Sequence, residues 1–208
     1  MTYFTTAFGT LIGSAKSNLC NLTSLTVQLL GPIGKYLRGA PFRLARLDTT
    51  AEWDADFVAF LEEQPSICFL IHHGKYRSEV QLPPSALPNL SFVEGWPSLV
   101  SALLAGRPVK EILITCLANM VDENTFQDLG RLGKLSRGPI SVVTVVNSVT
   151  EMNPADLFFL MLPVAENLSH LALFHYNTRT WGLDEARLSH TDHSFALTDY
   201  PDFPDLNR

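Results

Sequence analysis

One short apolar signature recurs along this chain and limits what the chain can become. Between Glu166 and Phe174, Leu168, Leu171 and Leu173 stand in the order L-x-x-L-x-L. In a short strand that order sends the leucines into one core while the residues between them face outward. The same triad, loosely kept, can be laid on Leu22-Leu25-Val27, Leu44-Leu47, Ile67-Leu70, Leu87-Leu90-Phe92, Val109-Ile112-Ile114 and Ile140-Val143-Val145. Successive starts are separated by 22, 23, 20, 22, 31 and 28 residues. A strand pattern that returns at such intervals predicts β units stacked in chain order.

The segments between the triads carry helical signals. Thr49 to Glu52 and Asp54 offer N-cap and first-turn acids for a helix bearing Phe57, Val58, Phe60 and Leu61, and Pro97 suits the first position of a helix over 98–104. Further helices are expected at 33–37, 122–132 and 155–161, and Trp181 to Leu188 reads as one more. Strands are expected at 21–29, 42–48, 66–72, 87–93, 109–116, 140–146 and 168–174. Such an alternation can close as a solenoid or as a doubly wound sheet with helices on both faces. Period decides between them: a full βαβ crossover needs about 30 residues or more, whereas a leucine-rich repeat takes about 20 to 29. The expected fold class is therefore α/β, a leucine-rich-repeat-like solenoid of about seven irregular repeats, with parallel strands on its concave face and helices on its convex face. Residues 1–20 are expected to form an N-terminal capping helix, 21–177 the repeat domain, and 178–208 a C-terminal cap and loose acidic tail. Three inward apolar side chains per repeat, at roughly 1.5–3 kcal/mol each when buried, would hold neighbours together.

Composition narrows the function classes. A formal charge of -6 leaves no basic excess for phosphate binding, so nucleic acid is not an expected partner. The three cysteines, Cys20, Cys68 and Cys116, form no C-x-x-C pair, which argues against a disulfide framework or a zinc site and suits a cytoplasmic or nuclear location. The N-terminus lacks a basic n-region, and no window approaches eighteen apolar residues, so neither a signal peptide nor a membrane span is expected.

Chemistry-bearing motifs are weak. Gly9-x-x-x-Gly13-x-x-Lys16-Ser17 has the wrong spacing for a phosphate loop. Adjacent His72 and His73 would point to opposite faces of a strand, and His190-x-x-His193 lacks a cysteine or paired carboxylate in motif spacing. There is no G-x-S-x-G elbow. No catalytic residue, metal ligand or cofactor is expected, and the chain reads as a non-enzyme.

The positive signal is the strand face opposite the core. With Leu168, Leu171 and Leu173 inward, His170, Ala172 and Phe174 face outward. The same phase exposes Phe69, Ile71 and His73; Asn89, Ser91 and Val93; Glu111, Leu113 and Thr115; and Val142, Thr144 and Val146. The candidate protein-binding residues on this concave face are Phe69, Ile71, His73, Glu111, Leu113, Val142, Thr144, Val146, His170 and Phe174. Burial of the strands on both faces, or a C-terminal segment folded over them, remains the competing explanation.

Four phrases resemble a known family: Phe57 to Ile67 (with F-L-E-x-Q-P-S-I), Leu87-Pro88-Asn89-Leu90, Gly95 to Val109 (with S-L-x-x-A-L-x-x-G-R-P-V), and Asn167 to Phe174. They resemble the repeat region of the F-box and leucine-rich-repeat-like proteins of mushroom-forming fungi, over about residues 20 to 177. The resemblance implies an adaptor whose F-box grips the Skp subunit of a cullin ubiquitin ligase while the repeats hold a substrate. No F-box motif precedes the first repeat, so the expectation is the substrate-recognition part alone. The asparagine ladder of regular repeats is also missing: the ninth position of each unit holds Leu30, Glu52, Lys75, Gly95, Leu117, Ser148 and Tyr176, so the turns must be held in another way. Two alternatives stay open at this point, a small α/β enzyme with an unrecognised site and a truncated, non-functional gene product. Oligomeric state is not legible.

Overall fold

The computed structural model describes residues 7, 9–10, 12–13, 18–116, 135–147 and 168–175. Its organisation starts from one carbonyl per repeat. The Thr23 oxygen accepts the backbone N–H groups of Ala45 and Arg46 at 2.7 and 3.0 Å, and the arrangement then recurs. Ala45 accepts from Cys68 and Phe69, Cys68 from Ser91 and Phe92, Ser91 from Lys110 and Glu111, Lys110 from Ser141 and Val142, and Ser141 from Ser169 and His170. Side chains reinforce four of these rungs. Cys68 Sγ donates to the Ala45 carbonyl at 3.3 Å, Ser91 Oγ to Cys68 at 3.1 Å, Ser141 Oγ to Lys110 at 3.2 Å and Ser169 Oγ to Ser141 at 3.0 Å. The backbone ladder ties each unit to the next, and serines and a cysteine reinforce it at four rungs in the absence of an asparagine ladder.

Strands leave the ladder in parallel. They are β1 (Ser24–Gly31), β2 (Arg46–Ala51), β3 (Phe69–His72), β4 (Phe92–Gly95), β5 (Glu111–Cys116), β6 (Val142–Asn147) and β7 (His170–His175). They form one seven-stranded sheet in the order β1-β2-β3-β4-β5-β6-β7, every described neighbour pairing parallel. The fold is thus α/β with an open, all-parallel sheet. Crossovers of one hand that always step in the same direction lie on the same side of a sheet. The helices with described bounds fit that rule, because their buried side chains belong to the same core as the inward strand residues.

Those helices are α1 (Gly34–Leu37), α2 (Ala55–Glu62) and α3 (Pro97–Leu104). Asp54 caps α2, its carboxylate accepting the Phe57 N–H at 2.8 Å, and Pro97 follows the Trp96 N-cap of α3. A Cβ on Gly34 would run into the Phe57 backbone nitrogen, so glycine is what lets α1 and α2 pack this closely. Near the N-terminus, Ala7, Gly9, Thr10, Ile12 and Gly13 are helical, Ile12 is buried and Gly9 lies against the Tyr36 ring. The expected helices over 122–132 and 155–161, the one at Trp181 to Leu188, and the tail at 178–208 lie outside the described residues.

Beneath the sheet the inward side chains form three ranks. Leu44, Ile67, Leu90, Val109 and Ile140 make the first, and Leu47, Leu70, Val93, Ile112 and Val143 the second, all at most 3 % exposed. The third contains Thr49, His72, Gly95, Ile114 and Val145. Most strands begin about two residues later than the triads suggest. The first apolar residue and its successor belong to the ladder turn, where two N–H groups share one carbonyl and pairing has not yet opened into a regular parallel pattern.

The largest displacement is at β4, where the expected strand at 87–93 is mostly turn. Leu87 has a φ of 53°, and the Leu90 N–H donates to its carbonyl at 3.1 Å. Leu90 and Val93, instead of Leu87 and Leu90, fill the first two ranks. The phase of that strand is therefore corrected: Val93 faces the core, and Phe92 and Glu94 face outward.

Arg107, fully buried at 1 % exposure, holds the loop before β4 against the end of α3. Nε donates to the Ala86 carbonyl at 2.8 Å, Nη2 to Pro83 and Leu82 at 2.6 and 3.3 Å, and Nη1 to Leu103, Ala105 and Ala102 at 3.0, 3.2 and 3.4 Å. A planar guanidinium can serve both groups of carbonyls at once, and the last carbonyls of a helix favour a cation. Burial pulls its pKa down to about 10, and it stays protonated at neutral pH. Replacing Arg107 by lysine is expected to lower the unfolding free energy by roughly 2–4 kcal/mol, since one ammonium leaves several buried carbonyls unpaired. Urea denaturation checks this against exposed Arg137→Lys, which should change stability by less than about 0.5 kcal/mol.

Candidate protein-binding face

Parallel register carries the outward residues into rows that cross the strands. One row runs Ser24, Arg46, Phe69, Phe92, Glu111, Val142, His170, and the next runs Thr26, Asp48, Ile71, Glu94, Leu113, Thr144, Ala172. Of the expected binding residues, Phe69, Glu111, Val142 and His170 therefore share the first row, and Ile71, Leu113 and Thr144 the second. Val146 pairs with Phe174, whose side chain lies outside the described set. His73 follows β3 on the same side.

These residues do not contribute alike. Phe69 is 39 % exposed, and Glu111 and His170 are exposed, while Leu113, Val142, Thr144 and Val146 are half-buried. Ile71 keeps only 5 % of its surface, flanked by Asp48 and Glu94 on adjacent strands, so it forms a floor and not a contact. Phe92 and Glu94 belong to the face although the sequence pattern assigned their strand the opposite phase. Phe69 and Phe92 stack with centroids 5.4 Å apart at 27°. Period alone does not find them: Leu44, Ile67 and Leu90 are 23 residues apart, but Leu90 then leaves only 19 to Val109, whereas Leu87 gives intervals of 20 and 22.

Polar groups on the face are mostly paired. Gln28 Nε2 donates to Asp48 Oδ1 at 3.0 Å. His73 Nε2 lies 3.0 Å from Glu94 Oε1, and its ring meets that of Trp96 edge-on at 6.0 Å. Trp96 is anchored by its Nε1 donating to the Gly74 carbonyl at 3.2 Å. Arg46 and Glu111 are both exposed and take part in none of the ion pairs among the described residues.

The two adjacent histidines part as strand geometry requires. His73 joins the outward face, and His72 enters the core with 0 % exposure. Neither nitrogen of His72 has a hydrogen-bond partner; its ring packs edge-on to Trp53 at 5.2 Å and against Phe57 at 5.6 Å. Trp53 also holds the loop after β3, its Nε1 donating to the Val80 carbonyl at 2.7 Å and its backbone N–H to Lys75 at 3.0 Å. Among the described residues no cluster of histidine, cysteine, aspartate or glutamate could hold a metal, and no helix is long and apolar enough to cross a membrane. The sheet order never reverses among the described strands, so the crevice that a doubly wound sheet opens at its switch point does not arise there. Searches with protein-family models, against curated proteins and against solved structures found no match.

Burial of His72 lowers its pKa to about 4, the Ala51 backbone offsetting only part of the cost of charging it. The unfolded chain takes up this proton near pH 6.5 and the folded chain only near 4, so His72 subtracts nothing above pH 6.5 and costs stability progressively below it. By pH 4 the loss should reach roughly 3 kcal/mol. Urea denaturation at a series of pH values, for the wild type and for His72→Leu, checks this: the substitution should flatten the slope between pH 6.5 and 4.

Proposed function

We propose that the chain is a leucine-rich-repeat-like solenoid whose strands line a concave face, and that this face binds another protein. The observation that carries the reading is the stack of exposed Phe69 on half-buried Phe92, on the sheet face opposite the packed helices. Aromatic pairs in such a position are favoured as anchors at protein interfaces, because they bury much area and lose little conformational freedom. Covering what Phe69 leaves in water would contribute about 1 kcal/mol by itself, and half-buried Leu113 and Val142 add apolar surface two and three strands further along the sheet. The helices α1, α2 and α3 pack on the opposite side and so leave Phe69 and Phe92 uncovered by them.

The family resemblance extends this reading to the substrate-recognition part of a ubiquitin-ligase adaptor acting in the cytosol or nucleus. Free thiols at Cys20 and Cys68 suit such a compartment. The double substitution Phe69→Glu, Phe92→Glu is expected to leave the circular dichroism spectrum and melting temperature nearly unchanged while removing the proteins that the wild-type chain captures from cell extract. Unchanged capture by a folded variant would reject this face as the binding surface.

A further inference from the structure

We infer that the partner presents to this face a short extended segment lying across the strands, in which an acidic and a basic residue four positions apart flank a central apolar residue. The inference rests on the binding reading above and adds the chemistry and conformation of what is bound.

It starts from the first outward row. Register places Arg46, Phe69, Phe92 and Glu111 on four successive strands. The two ends of that row are exposed charges of opposite sign without ion-pair partners among the described residues. The neighbouring acids are already engaged, Asp48 by Gln28 and Glu94 by His73. The row therefore offers a cation, an aromatic platform and an anion in line.

Strand spacing sets the length of the complement. Three gaps of about 4.8 Å separate Arg46 from Glu111 by roughly 14 Å. An extended chain advances about 13–14 Å over four residues and turns residues i, i+2 and i+4 to one side. Its ends can then meet Arg46 and Glu111 while the middle side chain rests on the Phe69–Phe92 pair. A helix needs about nine residues for that span, and these lie half a turn out of phase, so it cannot present both charges to the row. Because side chains make the match, either chain direction satisfies it.

Selection from a displayed library of short random peptides on the full chain tests the proposal. Enriched peptides should carry an acid and a base four residues apart around an apolar residue. On Arg46→Glu the selection should shift to two bases, and on Glu111→Arg to two acids. A peptide selected on the wild type should bind either variant about tenfold more weakly, with the melting temperature of each variant confirming its fold. Enriched peptides that need Phe69 and Phe92 but show no such charge pattern, or that show helical spacing, would overturn this inference and leave the binding reading standing. Enrichment of no peptide that depends on Phe69 and Phe92 would overturn both.

Discussion

The constraint on which the other features rest is the shared carbonyl at the head of each strand. Thr23, Ala45, Cys68, Ser91, Lys110 and Ser141 each accept two backbone N–H groups from the following repeat. That leaves no freedom to slip by one residue, and a one-residue slip would exchange the core face for the outward face along a whole strand. Hydroxyl or thiol donors on four rungs add about 1 kcal/mol apiece in the usual range for such bonds. Register inherited in this way lets three ranks of aliphatic side chains line up under a sheet whose members are short.

The irregularities of the array also have physical causes. The third inward rank holds Thr49, His72 and Gly95 where Ile114 and Val145 continue it. Space is filled there by Trp53 and Phe57, which pack against the His72 ring, and by Leu99, whose Cδ2 would stand 3.0 Å from a Cβ on Gly95. The loop between β3 and β4 is tied down at both ends, by Trp53 on one side and by Arg107 on the other. Arg107 does so as a buried cation satisfied by backbone carbonyls, an arrangement in which removing the cation costs far more than an exposed charge would.

The outward face derives its character from the same register. Residues that are distant in sequence, Arg46, Phe69, Phe92 and Glu111, become neighbours only because four strands start from equivalent rungs. An aromatic pair between opposite charges is then a consequence of alignment, and a shift of any one strand would dissolve it.

The L-x-x-L spacing was enough to indicate parallel β units in chain order and the outward phase of every described strand except β4, while the residues from Thr49 to Asp54 marked the start of α2 and Pro97 that of α3. These follow from local periodicity and capping, which the residues carry with them. The ladder of Ser91, Ser141 and Ser169 was not legible, because a hydrogen bond between repeats depends on which residues come level with one another. The β4 phase was misread because Leu87-Pro88-Asn89-Leu90 has the spacing of a strand and the geometry of a turn, and only packing against Arg107 and the adjacent ranks selects the latter. The face itself was half legible. Alternation marked Phe69, Glu111 and Val142 as outward, but exposure at Phe69, burial at Ile71 and the stack with Phe92 were decided by lateral neighbours that only the folded sheet brings together.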